Sequence, residues 1–147
     1  MQNDSNVENK QTVIPAYLQC EPRTYKVKLN HWHEDTCELE FTVVIKCNDE
    51  MLHEHNNFWS GHKDRLIENN GDIVAVVLKL LGNAVFWWCY QNNSKSLHAK
   101  YGVNSIFHEE GWLSDCFEIT QLYFENNVND DAFEFEPVTV ETKSNEA

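Results

Sequence analysis

The stretch from Ile73 to Tyr90 is apolar on nearly every side, and it constrains the fold more than any other part of the chain. Its eighteen residues make a helix about 27 Å long, close to the hydrocarbon thickness of a bilayer. Lys79 and Asn83 near the middle are costly in lipid, and no cluster of Lys or Arg flanks either end. We therefore predict the central helix of a small domain, covered on most sides, and no membrane span.

Capping residues predict where two helices begin. Asn48 or Asp49 is suited to cap a first helix that ends at Ser60-Gly61, and Asp72 is suited to cap the apolar second one. The polar stretch His62 to Asn70 is predicted to connect them. The first helix has one apolar stripe, formed by Met51, Leu52, His55, Phe58 and Trp59. The second has a narrow polar edge, formed by Asp72, Lys79, Asn83 and Tyr90.

Period-two alternation predicts strands on both sides of the helices. Before them, Tyr25 to Leu29 and Cys37 to Ile45 are expected to form a hairpin with its turn at His31 to Thr36. In the expected register Lys28 lies opposite Glu38, and Lys26 lies opposite Glu40, so this outer face is electrically neutral. Val27 would meet Leu39, and Tyr25 would meet Phe41.

Two more strands are expected after the helices, at Cys116 to Phe124 and at Ala132 to Val140, with a turn-rich loop at Asn126 to Asp131. The order ββααββ predicts an α+β fold of two layers, in which an antiparallel sheet of two hairpins packs against two helices. We expect a partly disordered polar leader over residues 1–23, one domain over 24–141, and a disordered tail over 142–147.

Composition excludes several classes of function. The chain has 147 residues, 12% of them aromatic, and a formal net charge of −13. The aromatic content favours a packed globular domain over a disordered chain, and the charge opposes direct binding to nucleic acid or anionic lipid. Five cysteines without C-x-x-C spacing, and an N-terminus unlike a secretion signal, favour a cytoplasmic protein with reduced thiols that are mostly core residues.

Sequence patterns of enzymes and metal sites are weak in this chain. The five glycines never form a phosphate-binding loop, and there is no G-x-S-x-G nucleophile motif. The histidine-rich run His31 to Asp35 has the wrong spacing for zinc, as has His53-Glu54-His55. Convergence of His31, His33, His55 and Cys37 in space is the alternative to polar turn residues plus one packed histidine. We predict no catalytic residue, no metal and no cofactor.

The C-terminal part of the chain concentrates negative charge. Residues 109–147 hold eleven of the 24 acidic residues and a single lysine. Glu134 and Glu136, with Glu118 nearby, would form a ladder about 6.6–6.8 Å apart on one strand face, comparable in sign to a phosphate backbone. The expected partner-binding residues are Glu118, Glu125, Asp130, Asp131, Glu134, Glu136 and Glu141. Aromatic anchors are expected from Phe117, Tyr123, Phe124, Phe133 and Phe135. The alternative is a solvated acidic face that serves solubility, with these aromatics in the core.

The hairpin and first helix resemble a small domain family of unknown function carried by phages, prophages and mobile elements. The resemblance covers Thr24 to Tyr90, with a weaker similarity at Gly111-Trp112 and at the acidic end. Its most specific part is the run Asn56-Asn57-Phe58-Trp59-Ser60-Gly61. The family implies no activity and no catalytic residues. It implies a setting, because small acidic accessory proteins of such elements are often anti-CRISPR or anti-restriction inhibitors.

Our leading hypothesis is a non-enzymatic interaction protein in the host cytoplasm, whose acidic face occupies the basic groove of a nucleic-acid-binding defence complex. A second hypothesis is a self-associating structural or regulatory protein that pairs through Phe58, Trp59, Trp87 and Trp88. A third is a metal-dependent or thiol enzyme that uses residues such as His33 and Cys37.

Overall fold

The computed structural model describes residues 20–29, 37–113, 115–128 and 130–139. The strands are β1 (Arg23–Lys28), β2 (Cys37–Ile45) and β3 (Phe117–Asn126), and the helices are α1 (Asp49–Phe58), α2 (His62–Glu68) and α3 (Ile73–Asn92). Short 3-10 helices cover Val103–His108 and Asp130–Ala132. The strands form one antiparallel sheet in the order β1-β2-β3. The predicted α+β class is confirmed, and the described residues form three strands and three α-helices in place of two hairpins and two helices.

Helix α3 and the inner face of the sheet share one hydrophobic core. The helix buries Ile73, Val76, Val77, Leu81, Val85 and Cys89, spaced three or four residues apart. The sheet contributes the alternate residues Leu39, Phe41, Val43 and Ile45 of β2. By length and composition α3 is able to cross a membrane, but a single such helix is weak evidence of a span. Its buried stripe confirms that α3 packs on the core, but 33% of its apolar window is buried, so it is less covered than predicted.

Both predicted helix caps are confirmed. The Oδ1 atom of Asn48 accepts from the Met51 N–H at 3.1 Å, and Oδ1 of Asp72 accepts from the Ala75 N–H at 3.1 Å. The polar edge predicted for α3 is also correct, since all four of its residues are exposed: Asp72, Lys79, Asn83 and Tyr90.

The predicted loop over His62 to Asn70 is wrong, because residues 62–68 form helix α2. Gly61 precedes it with a left-handed φ of 78°, which turns the chain sharply out of α1. The helix has one full turn plus three residues and only Leu66 packs against the core, so its apolar periodicity was too short to detect.

The expected register of β1 and β2 is shifted by two residues. Lys28 lies opposite Glu40 and Val27 lies opposite Phe41, so Lys28 does not face Glu38. In this register Arg23 lies opposite Ile45, and its guanidinium donates to the Asp49 carboxylate beyond the end of β2 at 2.7 Å. A shift of two keeps each side chain on its predicted face. Lys26 still pairs with Glu40, diagonally, at 3.8 Å.

Strand β3 confirms the strand predicted at Cys116 to Phe124. It contains a β-bulge, which interrupts the regular alternation of core-facing and outward-facing residues. Thr42 pairs with Gln121 and Val43 pairs with Ile119, which leaves Thr120 as an extra residue. Odd-numbered residues face the core before the bulge, and even-numbered residues face it after the bulge. Residues on both sides of it therefore face the core, namely Phe117 and Ile119 before the bulge and Leu122 and Phe124 after it.

The strand predicted at Ala132 to Val140 is wrong over the residues described. Residues 130–132 form a 3-10 turn, and 133–139 contain neither helix nor strand. Phe133 and Phe135 alternate with glutamates as a strand would require, but they are 71% and 96% exposed, so no apolar layer covers them. Alternation alone does not supply a partner strand for the backbone, and Pro137 removes one of the donors that pairing needs.

Candidate acidic interface

Two glutamates on the outer face of the sheet lie directly opposite each other. Glu38 of β2 pairs in register with Glu125 of β3, and both are exposed. Like charges in directly opposite positions repel across a sheet. The expected register gave Glu38 a lysine partner, and the two-residue shift removes it. Neither Glu38 nor Glu125 forms an ion pair with any residue that the structure describes.

Tyr123 adds a polar aromatic group to this pair. It lies opposite Glu40 in register, and its hydroxyl donates a short hydrogen bond to Oε2 of Glu125. This hydrogen bond, with the negative charges of Glu125 and Glu38, raises the pKa of Tyr123 to about 12. The side chain therefore stays a neutral donor at physiological pH. The ring remains 44% exposed, so its face is open to a partner.

A lysine of the chain already occupies one side of this ring. Nζ of Lys95 lies 5.9 Å from the centre of the Tyr123 ring, which is cation–π distance. Lys95 is exposed. The contact indicates that the surface formed by Glu38, Tyr123 and Glu125 attracts a cation. We call these three residues the acidic pair site.

Glu118, predicted to bind the partner, is neutralised within the chain. Its carboxylate forms an ion pair with Lys46 Nζ at 2.7 Å. Glu118 stands near the start of β3, opposite Val44, whereas Glu125 stands near the end of the strand. The predicted ladder also needs Glu134 and Glu136 on a strand, and residues 133–139 contain none, so the ladder is wrong.

The remaining predicted carboxylates follow β3 along the chain. Asp130 and Asp131 lie in the 3-10 turn, and Glu134 and Glu136 lie in the irregular segment beyond it; all four are exposed. Asp131 already has an interaction partner. Glu141 lies outside the described residues. The acidic segment 130–139 thus follows β3 along the chain and carries exposed charge without the regular spacing of a strand.

The aromatic residues proposed as anchors fall into two groups. Phe117 and Phe124 are buried in the core. Tyr123, Phe133 and Phe135 are exposed and remain able to contact a partner. The two buried residues are core residues, as the solubility alternative expects. The three exposed residues are available as anchors, as the binding hypothesis expects.

The four aromatic residues of the self-association hypothesis lie at two separate places, at the end of α1 and on α3. Phe58 contacts Trp59 at 4.9 Å between ring centres, and Trp87 contacts Phe86 at 5.3 Å. No ring contact joins Phe58 or Trp59 to Trp87 or Trp88 in the described part of the chain. Trp88 packs against the core, while Trp87 is 49% exposed beside an equally exposed Tyr90.

The run Asn56 to Gly61 has a structural role, centred on Arg65. The guanidinium of Arg65 donates to Asn56 Oδ1 at 3.0 Å, to the Ser60 carbonyl at 2.7 Å and to the Trp59 carbonyl at 3.1 Å. Asn56 is buried and donates to the His62 carbonyl at 3.1 Å. These bonds satisfy the carbonyl groups at the end of α1 and hold α2 against it.

The histidine and cysteine residues of the metal hypothesis do not form a site in the described part of the chain. His55 is buried against Trp112, at 4.5 Å between ring centres, and Phe117. Burial lowers the pKa of His55 to about 4, against the opposite effect of the Gly111 backbone, and both ring nitrogens are buried. No group of three metal-binding side chains occurs among the residues described. His31, His33 and the rest of the predicted turn lie outside them.

Sequence reasoning named Tyr123 and Glu125 but missed Glu38 as the third member of their site. Alternation placed Glu38 on the outer face, but its contact with Glu125 depends on the pairing of β2 with β3, which are separated by three helices. The only signal in the sequence was that Glu38 and Glu125 each alternate with core residues, and the bulge in β3 obscured that alternation.

Fold and surface together define a small α+β domain with a three-stranded antiparallel sheet, one end of which is acidic on its outer face. The chain belongs to the DUF2528 family, described as a protein of unknown function, which matches residues 42–121, just over half of the chain. The matched span ends well beyond Tyr90 and includes Asn56 and Arg65, but neither Glu38 nor Glu125. No curated protein and no solved structure matches the chain.

Proposed function

We propose that this protein is a non-enzymatic interaction protein that binds a basic partner protein through the acidic pair site and the acidic segment 130–139. The observation that carries the proposal is the pairing of Glu38 with Glu125. Their repulsion is relieved when a cationic side chain of a partner lies between them, so binding energy is concentrated at that point. Tyr123 supplies a hydroxyl donor and an exposed ring beside them.

The partner class follows from charge and setting. A surface that presents several carboxylates, in a chain of net charge −13, competes with nucleic acid for the same lysines and arginines. The resemblance to a domain family of phages and mobile elements supports a host defence complex, of the CRISPR or restriction type, as that partner. The site of action is then the host cytoplasm. No catalytic residue, metal or cofactor enters this proposal.

A binding experiment with a defined cationic probe tests the site. A fluorescent arginine-rich peptide is titrated with the protein at low and at high salt, and duplex DNA is added as competitor. The variant Glu38→Gln/Glu125→Gln should lose about tenfold in affinity, and the affinity of the unmodified protein should fall as salt rises.

A matched control separates the site from general charge. Glu54 and Glu68 are exposed on helices α1 and α2, so Glu54→Gln/Glu68→Gln removes the same two negative charges elsewhere. This control should change the affinity less than twofold. Equal losses in the two double variants, or a peptide affinity that does not depend on salt, would contradict the proposal.

Self-association is the second candidate function, because Trp87 and Tyr90 expose about half of their surface side by side on α3. Light scattering of the purified protein separates the candidates. A dimer that becomes a monomer on Trp87→Ser, without loss of peptide binding, would favour self-association as an additional property.

A further inference from the structure

Three of the five cysteines lie together where β2 runs into α1. Cys47 and Cys116 are fully buried, and their thiols share a hydrogen bond. The backbone is joined at the same place, since the Lys46 N–H donates to the Cys116 carbonyl at 2.7 Å. Cys20 is half-buried, and its Sγ donates at 3.5 Å to the Lys46 carbonyl, the peptide group that leads into Cys47. None of the three is in a disulfide.

The two buried thiols differ in how readily they lose a proton. The hydrogen bond from Cys116 lowers the pKa of Cys47, and the nearby charge of Arg23 acts in the same direction against the effect of burial. The same hydrogen bond and burial raise the pKa of Cys116. Arg23 is held in place by Asp49 at 2.7 Å and by the Cys47 carbonyl at 2.9 Å. Thiolate character is therefore favoured at Cys47.

We propose that Cys20, Cys47 and Cys116 form a redox site at which a hydroperoxide generates a disulfide between Cys47 and Cys116, with Cys20 as the entry thiol. The assignment of roles follows from position. Cys20 alone of the three is partly open to solvent, whereas Cys47 and Cys116 are fully buried.

The reaction balances in three steps. The Cys20 thiolate attacks one oxygen of the hydroperoxide, the O–O bond breaks, and an alcohol leaves with a proton while Cys20 becomes a sulfenic acid. The Cys47 thiolate attacks the Cys20 sulfur, and the hydroxyl leaves with a proton as water. Cys116 then attacks the Cys47 sulfur and expels Cys20, which takes up the proton that Cys116 releases. Two thiols lose two electrons and two protons, and the hydroperoxide is reduced to alcohol and water.

The other two cysteines provide an internal comparison. Cys37 of β2 and Cys89 of α3 also interact electrostatically with each other. Burial raises the pKa of Cys37, and it raises that of Cys89 to about 12, so neither is prepared to attack. Cys37 is half-buried like Cys20, which makes the two suitable for matched substitution.

The test treats the reduced full-length protein with tert-butyl hydroperoxide, alkylates the remaining thiols and maps the peptides by mass spectrometry. The expected product has lost two hydrogen atoms and contains a peptide that links Cys47 to Cys116. Cys20→Ser should slow its formation about tenfold, because a buried pair is then attacked directly, while Cys37→Ser should leave the rate unchanged. A Cys37–Cys89 link, oxidation that stops at a single cysteine, or equal rates for the two serine variants would overturn the proposal.

Discussion

Glu38 and Glu125 face each other across the β2–β3 pairing, and neither forms an ion pair with a lysine or arginine among the described residues. An opposite charge at either position would stabilise the sheet, so this arrangement lowers the stability of the isolated domain. Glu40, the next outward-facing residue of β2, differs from Glu38 because it forms an ion pair with Lys26 at 3.8 Å. A surface that costs stability and attracts cations is what a binding site for a basic partner requires.

Neutralising Glu38 should stabilise the domain. Glu38→Gln removes the repulsion from Glu125, and we expect a gain of about 0.2–1 kcal/mol in the free energy of unfolding. The gain should be larger at low salt than at high salt. Urea unfolding at two ionic strengths measures it. Glu40→Gln is the control, because it removes an ion pair and should give no gain. A loss of stability in Glu38→Gln would mean that Glu38 has a favourable partner.

Acid should destabilise the protein through His55. Its pKa is about 4 in the folded state and about 6.5 when unfolded, so the unfolded chain binds the proton more readily. This contribution is fully present above pH 6.5, and up to roughly 3 kcal/mol is lost as the pH falls toward 4. The measurement compares unfolding of the protein and of His55→Leu from pH 7 to pH 4. The variant should have the shallower dependence, and parallel curves would show that His55 does not titrate as described.

Arg65 should be more important for stability than any exposed basic residue near it. Arg65→Lys loses the planar fork that serves Asn56, Trp59 and Ser60, and leaves Asn56 buried with its Oδ1 unsatisfied. We expect a loss of about 2–3 kcal/mol by urea unfolding. Lys63, exposed on the same helix, is the control, and Lys63→Gln should change the stability by less than about 0.5 kcal/mol. A change of similar size in both variants would remove the structural role assigned to the Asn56 to Gly61 run.

Two glycines with positive φ should respond differently to alanine. A Cβ at Gly111 would lie 2.6 Å from Trp59 and 2.7 Å from Phe58, and φ there is 95°. A Cβ at Gly71, with φ of 78°, meets nothing within 4 Å. Gly71→Ala should therefore cost only backbone strain, about 1–2 kcal/mol, and Gly111→Ala about 2 kcal/mol more. Thermal or urea unfolding of the pair measures the difference, which should vanish only if the Trp59 ring can move away freely.

Local patterns located most elements correctly. The capping side chains of Asn48 and Asp72, the apolar surface of α3 and the alternation in β2 each act within a few residues, so the sequence contains them in full. The short helix α2 was missed because seven residues contain too little periodicity. The strand expected at Ala132 to Val140 was wrong because pairing depends on a neighbour that alternation does not specify.

By itself the sequence determined the α+β class, the central helix, the starts of two helices and the excess of negative charge. Only the tertiary structure decided which carboxylates are compensated, placing Lys46 against Glu118 and leaving Glu38 against Glu125. It also brought Cys20, Cys47 and Cys116 together. The reason is physical: periodicity and capping depend on neighbours along the chain, whereas ion pairs and thiol contacts depend on strand register, and here a two-residue shift and one bulge set that register.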